Sequence, residues 1–135
     1  KFARCCNPVP GDKIIGYITK GRGVSIHRKD CPNVVNNIYD KERLIEVNWE
    51  GLQETSYPVE IEASASDRPG VLSDIINMIG EMKTTIDAVN ARASKDGIAV
   101  IDLVLEINDK KHLENVMKKI SRIPGIFEVK RVMNQ

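Results

Sequence analysis

The sequence predicts an α+β protein of two modules: a small β-hairpin, helix and strand unit, then a ferredoxin-like βαββαβ domain with an antiparallel four-stranded sheet. In the second half, segments that alternate apolar and polar residues are interleaved with segments of helical period, in the order β-α-β-β-α-β. Charge also divides the chain, because residues 1–31 hold seven basic and two acidic side chains, whereas residues 51–135 hold eleven basic and thirteen acidic ones. The expected limits are 1–50 for the first module, 51–56 for a polar linker and 57–135 for the second module.

In the first module, Lys13 to Thr19 and Gly23 to Arg28 are rich in β-forming residues, and the intervening glycines favour a hairpin turn. A helix is expected from about Pro32, since proline fits a first turn. Its apolar stripe consists of Val34, Val35, Ile38 and Leu44. Ile45 to Glu50 then alternates like a strand. A unit of about 50 residues has a thin core and usually needs a staple or a neighbour.

The second module starts with an alternating strand that directs Val59, Ile61, Ala63 and Ala65 to one side. The helix after it presents Leu72, Ile75, Ile76 and Ile79 on one face. Two long strands follow as a hairpin around the turn KDG. A second helix, capped by Asn108 or Asp109, presents an apolar face. That face consists of Leu113, Val116, Met117 and Ile120, and a last strand closes the unit.

One face of this sheet is left open, because both helices are expected to cover the other. On the third strand the helix-facing residues are predicted to be Ala99, Ile101, Leu103 and Leu105. The open face then carries Val100, Asp102, Val104 and Glu106. A half-apolar face of this kind either binds a partner or is a solvated surface with isolated valines.

The loop between the first strand and first helix of the second module, SDRPGVL, is the best candidate for a ligand site. Gly70 lets another backbone or a ligand approach closely, and the free N–H groups of a helix start attract an anion such as a carboxylate. A small amino acid would suit this loop. The alternative is structural: Asp67 caps the helix, while Pro69 and Gly70 shape the turn.

In the first module, three cysteines and a histidine can supply four soft ligands to a tetrahedral zinc ion. They are Cys5, Cys6, His27 and Cys31. Adjacent cysteines in an extended segment would point to opposite faces, so the alternative is that Cys6 and Cys31 are small buried hydrophobes and His27 a surface residue. A nucleophilic cysteine with His27 as base is a third alternative, but the sequence offers no group to orient the histidine.

The basic residues of the first module are candidates for contacts with RNA phosphates, and a tyrosine among them for stacking on a base. The candidates are Lys13, Tyr17, Lys20, Arg22, Arg28 and Lys29. A solvated basic face is the alternative.

With 41% hydrophobic residues, 29% charged residues and a net charge of +1, the 135-residue chain is expected to be soluble. Its apolar runs are too short to span a bilayer, so a cytoplasmic location without a membrane partner is expected. It starts without a methionine or a signal core, which indicates a piece of a larger protein. Three cysteines, two of them adjacent, do not suit a secreted disulfide framework.

DRPGVL after an alternating strand, within a βαββαβ unit, resembles the ACT domains, a family of small modules that bind amino acids and form dimers. The resemblance covers about Tyr57 to Met133. It implies a homodimer with a ligand near this loop, and an asparagine contributed by the facing subunit. The implied ligand-binding residues are Asp67, Arg68, Gly70, Val71, Leu72 and Asn90.

The segment from Arg4 to Asn33, with CCNPVPGDKIIGY and HRKDCPN, resembles the conserved-cysteine segment ahead of the ACT domain in long RelA/SpoT-family proteins of the stringent response. In that family the segment has been called a zinc finger, and it docks on ribosomal RNA beside tRNA. The resemblance implies a non-catalytic, regulatory C-terminal fragment. Its partners would be a branched-chain amino acid and the catalytic (p)ppGpp synthetase and hydrolase domains of the same protein. A purely structural module for dimerisation and RNA docking, without a small ligand, is the alternative.

Overall fold

The computed structural model describes residues 2–19, 21, 23–36, 41–50, 54 and 56–133. The strands in this part of the chain are β1 Ile14–Thr19, β2 Gly23–Arg28, β3 Leu44–Ile45, β4 Tyr57–Ser66, β5 Ile86–Ala93, β6 Ile98–Ile107 and β7 Ile126–Arg131. The helices are α1 Pro32–Val35, α2 Val71–Glu81 and α3 Lys110–Ser121, with a 3-10 turn at Lys41–Arg43. None of the described helices combines the length and apolarity that a membrane span requires.

The first module is an antiparallel sheet of three strands in the order β2-β1-β3. The predicted hairpin is confirmed, since β1 pairs with β2 from Ile14 opposite Arg28 to Thr19 opposite Gly23. The predicted helix is too long: α1 ends at Val35, which is 59% exposed, and Leu44 lies in β3 instead. Ile38 lies outside the described residues.

The predicted strand from Ile45 to Glu50 is also too long, because β3 ends at Ile45. Beyond that point the side chains make other contacts. Val47 packs over Gly16: a Cβ atom added to Gly16 would lie 2.9 Å from Cγ1 of Val47. Trp49 donates a hydrogen bond from Nε1 to the backbone oxygen of Asp12 at 3.0 Å. In this segment, the alternating residues after Ile45 are therefore held by side-chain contacts and not by strand pairing.

The second module is an antiparallel sheet in the order β5-β6-β4-β7, and the predicted β-α-β-β-α-β order is confirmed. The predicted inward residues of β4 and β6 are buried. Asp109 caps α3 by accepting a hydrogen bond from the His112 N–H. On α2 the buried positions are Val71, Ile75 and Ile79, whereas Ile76 is 37% exposed, so its predicted place in the core is wrong. The buried stripe starts one residue earlier than predicted.

The open face of the sheet carries a ladder of ion pairs rather than an apolar surface. Arg92 on β5 bonds to Asp102 on β6 at 2.7 Å and lies 3.9 Å from Glu62 on β4. Lys130 on β7 lies 3.6 Å from the same glutamate. The ladder crosses all four strands, and it favours the solvated reading of this face.

The two modules share one hydrophobic core. Val9 of the first module is fully buried in the cluster formed by β4, β6 and the two long helices. Beside it, the Phe2 ring stacks on Trp49 at 5.5 Å and meets Tyr57 edge-on at 5.4 Å. The side chain of Arg131, on β7, donates two hydrogen bonds to the Asp12 carboxylate at 3.1 and 3.2 Å.

Gly11 sets how closely the modules approach. Its φ is +105°, and an added Cβ atom would lie 2.8 Å from Cβ of Lys110, the first residue of α3. We expect Gly11→Ala to lower the free energy of unfolding by about 1–3 kcal/mol, because the added methyl group would overlap Lys110 in addition to straining the backbone. Chemical denaturation measures this loss. Gly97→Ala is the matched control, since Gly97 also has a positive φ but nothing within 4 Å of its added Cβ. Equal losses in both variants would assign the effect to backbone strain rather than to the contact.

Candidate metal-binding and ligand-binding sites

Three segments of the first module bring the predicted metal-binding side chains together. The N-terminal segment lies beside β2, with Phe2 bridged to Ile26 and the Ala3 N–H bonded to the Ile26 oxygen. Residues 4–6 form a turn, so the two adjacent cysteines are not extended and do not point to opposite faces. The other two residues, His27 and Cys31, lie near the end of β2 and directly before α1.

The donor atoms of Cys5, Cys6, His27 and Cys31 all lie within 4.8 Å of one another. The Cys5 sulfur lies 3.5 Å from that of Cys31, 3.9 Å from that of Cys6 and 3.4 Å from His27 Nδ1. The Cys6 sulfur lies 3.8 Å from the same nitrogen. A tetrahedral zinc ion would place two sulfurs about 3.8 Å apart, and a sulfur and a nitrogen about 3.6 Å apart. The donor set therefore fits a structural zinc ion in type, number and spacing.

Burial controls the protonation of this cluster. It raises the pKa of the Cys6 thiol and of the Cys31 thiol, and it lowers the pKa of His27. The backbone N–H of Arg28 donates to the Cys6 sulfur at 3.3 Å, which favours the thiolate. A bound cation would supply the charge that the buried thiolates need.

The burial of this cluster argues against a surface position for His27 and against a nucleophilic role for Cys6. His27 is 2% exposed, so its prediction as a surface residue is wrong. As a nucleophile, Cys6 would need a lowered pKa, usually beside a protonated histidine, whereas burial raises the pKa of Cys6 and lowers that of His27.

In the second module, the loop after β4 borders a cavity of about 260 Å³ between α2 and β5. Its lining consists of Asp67, Arg68, Gly70, Val71, Leu72, Ser73, Ala91, Arg92, Ala93, Ala99 and Ile101. The structure therefore brings together five of the six predicted ligand-binding residues. Sequence reasoning missed the wall formed by β5 and β6. Its alanines and Ile101 carry no chemical signal, and only the strand register places them opposite the loop.

The N-terminus of α2 has no side-chain cap. Gly70 occupies the N-cap position with φ +85° and ψ 0°, a left-handed conformation that favours glycine. No side chain of the described residues caps the helix, so the alternative is wrong for Asp67, whereas the left-handed conformation of Gly70 confirms its part in shaping the turn. The first-turn N–H groups and the Asp67 carboxylate thus present opposite charges at one cavity.

Arg68 has other surroundings than the prediction implies, and Asn90 lies away from the cavity of its own chain. Arg68 bonds through Nε to the Pro124 oxygen at 3.0 Å and through Nη2 to Asp74 at 2.7 Å, so its side chain braces the loop. Asn90 pairs with Asp102 on the open face of the sheet and does not line the cavity of its own chain.

Three of the predicted RNA-binding residues converge at the seam between the modules. Lys13, Arg28 and Lys29 line one cavity with Lys110 of the second module. Tyr17 lies elsewhere on β1, and the guanidinium of Arg43 lies over its ring at 5.5 Å. Lys20 and Arg22 lie outside the described residues.

Comparison with known proteins matches both modules. Residues 1–50 match the RelA/SpoT RIS domain, and residues 53–131 match an ACT domain. The chain is 40% identical to a GTP pyrophosphokinase of Streptomyces coelicolor and 37% identical to the bifunctional (p)ppGpp synthase/hydrolase RelA of Mycobacterium tuberculosis. Each match covers 98% of this chain, but only 16% and 18% of the respective relative.

Among solved structures, the crystal structure of the ACT domain from GTP pyrophosphokinase of Chlorobium tepidum aligns with a TM-score of 0.52 and 26% identity. It covers 58% of this chain and all of that domain. The chain therefore belongs to the RelA/SpoT family and consists of a RIS domain followed by an ACT domain.

Proposed function

We propose that this chain is a regulatory, non-catalytic region of a stringent-response (p)ppGpp synthetase/hydrolase and that its ACT domain senses a branched-chain amino acid. The observation that carries the proposal is the cavity at the start of α2, where an uncapped helix N-terminus meets an apolar wall. Its relatives are named for (p)ppGpp metabolism, so the ligand would bias the catalytic domains of the same protein, favouring hydrolysis over synthesis. Such control needs only a different ligand affinity in two states.

The cavity suits a zwitterion with an aliphatic side chain. The ligand carboxylate would accept hydrogen bonds from the N–H groups of Leu72 and Ser73, since that of Val71 bonds to the Arg68 oxygen, and the helix dipole favours negative charge there. Its ammonium group would lie near Asp67. Its side chain would pack against Leu72, Ala91 and Ile101, which line the same cavity.

The ACT domain would act as a homodimer through the edge of β5. In the described part of the chain this strand pairs only with β6, and Val89 on it is 45% exposed. A second copy placed along β5 would close the open side of the cavity. In that arrangement Asn90 would reach the ligand of the facing subunit, as the family resemblance implies.

Calorimetric titration tests the sensing role. Valine, isoleucine or leucine is expected to give saturable heat, and asparagine none. We expect Ala91→Leu to fill the cavity and weaken binding by about tenfold or more, since overpacking costs 1–3 kcal/mol. The matched control is Ala88→Leu, because Ala88 lies on the same strand outside the cavity lining. A folded chain that gives no heat with any of the three ligands would refute sensing and leave the structural alternative.

For the RIS domain we propose a zinc-stabilised module that docks on ribosomal RNA and tRNA. The exposed side chains of Lys13 and Lys29 and the fit of the thiol and imidazole groups to zinc support this role. The affinity for RNA should then fall steeply as the salt concentration rises, and added amino acids should not change it. Amino-acid binding should show the reverse behaviour, so the two roles separate in one set of titrations.

A further inference from the structure

A second cavity, of about 230 Å³, lies at the seam between the two modules. The residues that line it are Gly11, Asp12, Lys13, Arg28, Lys29, Asp30 and Lys110. They come from the segment before β1, from the end of β2 with its following turn, and from the first residue of α3. The site therefore exists only when the modules are docked.

The charges around this cavity do not cancel. Both carboxylates are already engaged, since Asp12 pairs with Arg131 and Asp30 with Nη2 of Arg28. No carboxylate within 4 Å pairs with Lys13, Lys29 or Lys110 in the described part of the chain. Like charges that converge without a counterion repel one another. Three lysines without a carboxylate partner in the described part of the chain therefore border one cavity.

A buried donor points to the same deficit. Nη1 of Arg28 is buried and has no hydrogen-bond partner among the described residues, although most buried polar atoms in folded proteins have one. An anion in the adjacent cavity would attract this guanidinium and give Nη1 an acceptor after a small change of side-chain torsion. The lysines without a carboxylate partner and this guanidinium nitrogen therefore favour the same kind of ligand.

The backbone holds these cations in place. The Lys110 N–H bonds to the Pro10 oxygen at 2.7 Å, and the Lys29 N–H bonds to the Lys13 oxygen at 2.8 Å. Close packing of Gly11 against Lys110 leaves no room for a side chain between the modules. The 12-residue helix α3 also directs its positive end towards the seam.

We propose that this seam cavity binds the phosphate group of a small molecule, either free phosphate or a phosphomonoester. A cavity of about 230 Å³ lined by three lysines and an arginine has room for one compact oxyanion. Binding would stabilise the docked arrangement of the modules, because the two modules hold the ligand jointly. None of its lining residues lines the amino-acid cavity.

The test is an NMR titration of the chain with sodium phosphate, with ionic strength held constant by sodium chloride. Saturable shifts are expected at the amides of Gly11, Lys29 and Lys110. We expect Lys110→Gln to weaken binding by about tenfold, the loss of one charge-assisted contact. Lys118→Gln, which removes an equal charge from the same helix away from the cavity, should leave affinity unchanged.

Phenyl phosphate and a short oligoribonucleotide distinguish the source of the phosphate. Saturable binding of phosphate or phenyl phosphate that depends on Lys110 and not on Lys118 supports the proposal. Shifts that do not saturate, or equal losses in the two variants, would mean diffuse electrostatic attraction and overturn it. So would Lys110-dependent binding of the oligoribonucleotide alone, since the cavity would then belong to an RNA surface. Loss of valine binding would not affect this result.

Discussion

Removal of the zinc ion proposed for the RIS domain is expected to unfold the first module while β4 to β7 of the ACT domain stay folded. Structural zinc sites contribute about 10–16 kcal/mol of apparent binding free energy in small zinc fingers, and in such modules this energy is folding energy. The first module has few buried apolar side chains of its own, and two of the buried residues are Cys6 and Cys31. Without the metal, its core is too small to offset the entropy of ordering the chain.

The measurement combines metal analysis of the chain with NMR spectra recorded before and after a zinc chelator is added. One zinc ion per chain is expected, and chelation should collapse the amide signals of β1 and β2 into the unfolded range. Cys31→Ser should mimic chelation and make the chain insensitive to the chelator. Ser25→Ala is the control on the same strand as His27, and it should retain the metal. A folded first module that contains no zinc would contradict the assignment.

Much of the fold followed from local patterns in the sequence. The alternation in β4 and β6 and the helical period in α3 depend on burial of one face, and the structure buries those faces. The patterns failed where local and tertiary preferences compete. The predicted helix face included Val34, Val35 and Leu44, but α1 ends at Val35. Leu44 instead pairs with Tyr17 of β1 as part of β3.

The candidate sites divide in the same way. The residue types of Cys5, Cys6, His27 and Cys31 predicted their chemistry, but only the turn at residues 4–6 shows how adjacent cysteines face one centre. The loop DRPGVL was predictable because glycine and a helix start leave a local signal. The seam was not, since Asp12 and Arg131 are 119 residues apart and each resembles an ordinary surface charge in the sequence.

Loss of the ion pair between Asp12 and Arg131 is expected to uncouple the two domains. The Asp12 side chain is 3% exposed and that of Arg131 is 13% exposed, so the pair is largely withdrawn from water. The carboxylate also accepts the Val9 N–H at 2.9 Å, and Arg131 donates to the Asn7 oxygen at 2.9 Å. Arg131→Met would leave a buried carboxylate without its cation, a change that costs about 3–5 kcal/mol in other proteins.

Denaturant unfolding of Arg131→Met, followed by Trp49 fluorescence for the seam and by circular dichroism for the whole chain, measures this effect. Trp49 reports on the seam because it donates to the Asp12 oxygen and its ring meets that of Tyr57, in the second module, edge-on at 5.7 Å. The two signals should coincide in the unaltered chain and separate in the variant. Arg92→Met removes an arginine from the exposed pair with Asp102, where a loss of about 0–1 kcal/mol is expected.

A double substitution then separates the ion pair from the packing around it. Asp12→Leu combined with Arg131→Met replaces both charges with apolar side chains, which in other proteins is often neutral or stabilising. We expect it to restore part of the stability lost in Arg131→Met alone. It should still weaken the seam, because Val9 loses the acceptor for its N–H. If Arg131→Met is no more damaging than Arg92→Met, the shared core around Val9 holds the domains together and the ion pair serves only to orient them.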